Sequence, residues 1–219
     1  MKILGTGFSG SRNQLFLAVA LGAAAAAYSA PVQAALIFAP HSMWQYTFTD
    51  PTGSGSWNTA TGLGGIWAAG SAPFGNHTGS FGADVAGDFS FATLWAADGS
   101  DGDDLWVRAA VDLTGFDLST VSWDLGVDNG YKLYMNGALI SGANGEGYTY
   151  RWEYSGGFTG LLPGMNVLAV ALEDHGGLTA FDMQVTGSLT AVPEPGTLVL
   201  LGTGLVGMAS AARRRRRAS

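Results

Sequence analysis

The sequence predicts an all-β domain, a β-sandwich or jelly roll, set between two segments built for routing. Three observations point there. Between Trp44 and Leu189 the chain is a series of short runs rich in Val, Tyr, Phe and Trp, divided by Gly- and Asp-bearing turns. Regularly spaced short strands of this kind mark sandwiches and barrels. No run keeps a helical period, and 34 of the 219 residues are glycine, about twice the usual share. Charge is divided by segment: residues 35–192 hold three cations (Arg108, Lys132, Arg151) against 16 of the 17 acids, hence −13, whereas the whole chain stands at −7. So acidic a body is unsuited to neutralising phosphates, which excludes nucleic acid as a partner. Disorder is excluded by 47% hydrophobic residues and seven tryptophans. With no cysteine, disulfides, thiolate zinc sites and cysteine nucleophiles are excluded as well.

The elements follow in chain order. Residues 1–34 read as a secretory signal helix: Lys2 and Arg12 supply the positive region, Leu15 to Ala27 the apolar core, and Val32-Gln33-Ala34 a small-x-small cleavage site. Residues 35–190 form the β-domain. Trp44 to Phe48 alternates in period two. Phe89 to Ala97, Leu105 to Leu113 and Val121 to Val127 are further strands. Tyr131 to Met135 leads into Asn136-Gly137, the strongest short hairpin signal, and Ala138 to Ile140 returns. Tyr148 to Tyr154, Asn166 to Leu172 and Leu178 to Leu189 complete the series.

The last segment, residues 191–219, has three parts in fixed order. Pro193-Glu194-Pro195 comes first, then the uncharged stretch Thr197 to Ala212, then Arg213, Arg214, Arg215, Arg216 and Arg217. As a helix the middle part spans about 24 Å. It is expected to cross the inner membrane transiently, with the arginines held on the cytoplasmic side. Gly202-Thr203-Gly204-Leu205-Val206-Gly207 spells G-x-G-x-x-G, but no strand or later acid frames it, so it is no nucleotide site. The three-part order resembles the PEP-CTERM sorting signal. That resemblance implies export, an exosortase-type processing enzyme as partner, and a setting of exopolysaccharide and biofilm at the cell surface.

Three stretches of the body resemble galactose-binding-domain-like jelly rolls. They are the hairpin Asp128-Asn129-Gly130 through Asn136-Gly137, the turn Leu161-Leu162-Pro163-Gly164-Met165-Asn166 entering a strand, and Trp67-Ala68-Ala69-Gly70-Ser71-Ala72-Pro73-Phe74-Gly75. The likeness implies the fold; such domains serve as sugar-binding modules, as accessory domains of enzymes and as structural parts.

Candidate chemistry divides into three. Asp98, Asp101, Asp103 and Asp104 place four carboxylates in seven residues among glycines. Such a loop can contribute oxygens to a structural calcium, or be a solvated acidic turn. Tyr148, Tyr150, Trp152 and Tyr154 share one parity and would form one aromatic strand face, a platform for a glycan or a face of the core. Trp57 and Trp67 are further sugar-stacking candidates, while Trp106 and Trp123 read as core. Catalytic signals are absent: His41, His77 and His175 stand apart, and no G-x-S-x-G or S-x-x-K occurs. The expected function is therefore non-enzymatic, a carbohydrate-binding or structural exopolysaccharide-associated module; the alternative is a secreted glycan-active hydrolase.

Overall fold

The computed structural model describes residues 34–62, 64–76, 91–96, 102–144, 152–190 and 197–218. The expected signal helix and Pro193-Glu194-Pro195 lie outside these residues, save Ala34. One compact unit spans Gln33–Thr190. Its strands are β1 (Ala34–Phe38), β2 (Met43–Thr47), β3 (Ala68–Ser71), β4 (Phe74–Gly75), β5 (Thr93–Leu94), β6 (Asp103–Asp112), β7 (Phe116–Asp128), β8 (Gly130–Met135), β9 (Ala138–Asn144), β10 (Tyr154–Gly157), β11 (Met165–Glu173) and β12 (Ala180–Leu189).

Two six-stranded sheets result. The first runs β10-β7-β12-β4-β5, with β1 also paired to β12; the second runs β3-β2-β6-β11-β8-β9. Pairing is antiparallel except between β4 and β5. Alternation explains how the sheets meet. On β6, Leu105, Val107, Ala109 and Val111 are buried in the same cluster as Leu168, Val170 and Leu172 of β11. The first sheet adds Val121, Trp123, Leu125 and Val127 of β7 and Phe181, Met183 and Val185 of β12. Residues two apart on a strand share a face, so each sheet offers one apolar face to the other. Burying a side chain of this size contributes about 1.5–3 kcal/mol.

Turn chemistry fixes the register. Asn136 (φ 51°) and Gly137 (φ 84°) are both left-handed, as a two-residue type I′ hairpin requires. A Cβ on Gly137 would also stand 2.5 Å from Thr59 Cγ2, so the 51–62 loop rests on this hairpin tip. Asn136 Nδ2 donates to Asn166 Oδ1 (2.8 Å), and Val167 N donates to Asn136 Oδ1 (2.9 Å). The two turns that resemble the jelly-roll family thus hold each other.

Several expectations change. β1, β3 and β4 were not legible as strands. Of Phe89 to Ala97, only Thr93 and Leu94 are extended among the described residues. The strand expected over Tyr148 to Tyr154 does not pass through Trp152, whose φ of 63° breaks extended geometry; β10 begins at Tyr154.

The tail contributes one helix, α1 (Thr197–Ala218), with Arg215, Arg216 and Arg217 in its last turn. The expectation of a transmembrane helix is not upheld. Among the described residues, no helix is long and apolar enough to cross a membrane. The reason is composition: the uncharged part is short of the roughly 20 apolar residues a span needs, Gly202, Gly204 and Gly207 dilute its leucines, and the rest of the helix is arginine.

Candidate functional site

Where β6 begins and β11 ends, polar groups gather at one end of the sandwich. Lys132 on β8 reaches over the small side chain of Ala171, its partner on β11, and donates to both oxygens of Asp103 on β6 at 2.9 Å. Asp174 N donates to Asp104 Oδ2 at 2.6 Å. Glu173 Oε1 accepts from Gly102 N (3.0 Å) and lies 3.3 Å from His175 Nε2. Asn129 Oδ1 accepts from His175 N at 2.8 Å. The Asp103 carboxylate holds the Lys132 ammonium above its ordinary range, mainly by this hydrogen bond.

This arrangement bears on the acidic loop. Asp103 is ion-paired and Asp104 accepts a backbone amide, while Asp98 and Asp101 lie outside the described residues. Among the described residues, no group of three or more His, Asp or Glu side chains could hold a metal ion.

Beside Asp104 opens a cleft of about 270 Å³ lined by Phe48, Leu94, Trp95, Ala96 and Asp104. Its lip is apolar and exposed: Phe48 is 51% accessible and Leu94 67%. Phe48 has the parity of the inward-facing Trp44 and Tyr46, but it lies one residue past β2, where the core ends. Its ring meets Tyr46 edge-on, with centroids 5.5 Å apart. Trp95 is wholly buried. Its N–H donates to Gly75 O, and its carbonyl accepts the Thr179 hydroxyl. Among the described residues its indole N–H finds no acceptor, although a buried donor normally has one. The cleft therefore combines an exposed ring and a carboxylate, with the buried Trp95 behind them. Parity reasoning hides Phe48 as a core residue, and only the end of β2 exposes it.

The other aromatic candidates lie elsewhere. Trp57 and Trp106 are buried in a second cluster on the outer face of the second sheet, with Ala169 and Ala171 beneath and Trp67 and Tyr134 alongside. Arg108 organises this cluster. Its Nε donates to Gln45 Oε1 (2.9 Å), Nη1 to Trp57 O (3.1 Å) and Nη2 to Gly62 O (2.9 Å), and its Cζ stands 3.7 Å over the Trp67 ring. Burial lowers the Arg108 pKa from its ordinary value, and a guanidinium remains charged regardless. So Trp57 and Trp67 are structural here, and Trp106 is core to this cluster rather than to the main one. Trp123 is in the main core. Tyr148 and Tyr150 lie outside the described residues. Trp152 sits in the turn before β10, and Tyr154 packs on the Tyr131 ring at 4.9 Å.

Two of the three histidines lie among the described residues, each beside a carboxylate. His41 Nε2 lies 3.5 Å from the buried Asp182 Oδ2, remote in sequence from His175, and His77 lies outside the described residues.

Comparison with known proteins identifies the sorting segment. A model of the PEP-CTERM protein-sorting motif matches residues 191–217. The match covers the expected Pro-Glu-Pro, helix and arginine cluster, and it implies export to the cell envelope and processing by an exosortase. No curated protein matches the chain in sequence. Among solved structures, a β-glucuronidase from Ruminococcus gnavus is similar at 12% identity and a TM-score of 0.46, covering 74% of this chain and 30% of that one. A β-glucuronidase from an uncultured Clostridium sp. is similar at 9% identity and a TM-score of 0.42, again over 74% and 30%. The chain thus spans about three-tenths of the length of these enzymes.

Proposed function

We propose that the chain is an exported, non-catalytic jelly-roll module that binds polysaccharide at the cell surface or in the extracellular matrix. The cleft at the sandwich end carries this reading. A sugar ring has an apolar face suited to stacking and a rim of hydroxyls suited to carboxylates and N–H donors. Phe48 and Leu94 offer the first kind of contact, and Asp104 offers the second. Compact sites of this kind use apolar walls with a few convergent polar groups. The sorting motif supports an address at which a glycan-rich matrix is met.

The test is direct. Isothermal titration of the full chain against matrix polysaccharides should give binding, and Phe48→Ala should weaken it by at least tenfold. Because Phe48 is half exposed, its thermal midpoint should shift little. Binding that survives Phe48→Ala would move the site away from the cleft. Turnover of chromogenic glycosides by the wild-type chain, lost when a single carboxylate is mutated, would replace the binder with a hydrolase.

A further inference from the structure

We infer that the ligand of this cleft is a polysaccharide without acidic groups, built from neutral sugars rather than uronates or sulfated sugars. The inference rests on the glycan-binding reading and adds the class of glycan. It follows from where the charges are committed. Among the described residues, the only ionisable one lining the cleft is Asp104; the others are Phe48, Leu94, Trp95 and Ala96. Within the compact unit, the described cations are Arg108 and Lys132. Arg108 is buried, spends its donors on Gln45, Trp57 and Gly62, and is stacked on Trp67. Lys132 is held by both oxygens of Asp103. Arg151, the third cation of that segment, lies outside the described residues.

Recognition of a sugar carboxylate or sulfate relies on paired, charge-assisted contacts from Arg or Lys. Here an acidic sugar would meet Asp104 instead, on a segment of charge −13. Like charges brought together across a binding surface oppose association and slow encounter. A neutral sugar meets no such opposition. Its hydroxyls can donate to a carboxylate, which accepts at about four lone-pair sites.

The experiment uses matched pairs: a glucan, a mannan and a galactan, each beside its own C6-oxidised uronate form, titrated against the full chain. At least one neutral polymer should bind, and its oxidised form should bind about tenfold or more weakly at low salt. The gap should narrow as salt rises, because about 10 Å of screening length at 0.1 M shrinks to about 3 Å at 1 M. Phe48→Ala should weaken the neutral polymer. An oxidised form that binds as well as its neutral parent, and is lost in Phe48→Ala, overturns the ligand class while leaving the cleft as a glycan site. No binding to any of the six polymers overturns both readings.

Discussion

Asn166 does the work of a whole turn. Its Oδ1 accepts from Leu162 N and Asn136 Nδ2, and its Nδ2 donates to Leu162 O and Gly164 O, all at 2.8 Å. It is 1% exposed. Asn166→Ala would remove four hydrogen bonds at once from a part-buried turn. The expected loss is about 1–3 kcal/mol, read as a lower urea midpoint with an unchanged m-value. Pro163-Gly164-Met165-Asn166 was legible in the sequence because a turn-forming Asn acts on its own neighbours. Arg108 was not legible in the same way. Its partners Gln45, Trp57 and Gly62 come from 46 or more residues away, and alternation on β6 cannot say which loop will cover the outer face. Phe48 did not stand out for a related reason: parity predicts facing, not where the opposite sheet stops.

The β6–β7 connection shows how an element end is stabilised by charge. Asp112 Oδ1 accepts from Thr114 N (2.9 Å) and Thr114 Oγ1 (2.7 Å); Asp117 Oδ1 accepts from Ser119 N (3.0 Å) and Ser119 Oγ (2.7 Å). The side-chain hydroxyl first, and the backbone amide second, hold both carboxyls below their ordinary value of 3.8. A folded-state pKa that is depressed contributes stability above the unfolded pKa, and that stability is lost as pH falls through the folded one. Asp112→Asn with Asp117→Asn should therefore flatten the loss of stability below pH 4, seen in urea midpoints measured from pH 2 to 6. Equal slopes would mean that these turns do not couple to protonation. At this scale the long strands β6, β7, β11 and β12 were legible, because apolar residues recur at every second position. β3 (Ala68–Ser71) lacks β-branched and aromatic residues, and β4 is two residues long, so pairing alone makes them strands. Tyr148 to Tyr154 failed as one strand because alternation carries no information about the left-handed backbone at Trp152. α1 was foreseen as a helix, but counting uncharged residues overstated its capacity to cross a bilayer.

The whole molecule is divided at Thr190. β12 is the centre of the first sheet, pairing with β7, β4 and β1. The ladder ends in a clasp: Thr190 N donates to Gly115 O at 2.9 Å and Thr190 Oγ1 to the same oxygen at 3.0 Å. Among the described residues, the core cluster that buries Met183 and Val185 and the β12–β7 register both lie before this point. A chain ending at Thr190 should therefore melt within about 2 °C of the full chain, as a change of no more than half a kcal/mol implies for a domain of this size. A chain ending at Phe181 should lose its cooperative transition. It gives up two core side chains and the register with β1, a loss that rivals the typical 5–15 kcal/mol of a domain's total stability. Differential scanning calorimetry of the three chains separates these outcomes. A large drop on removing residues 191–219 alone would mean that the sorting segment contributes to the stability of the sandwich as well as to its routing. Equal melting of the first two chains fits a division in which the sandwich folds without residues 191–219 and the tail serves as an address.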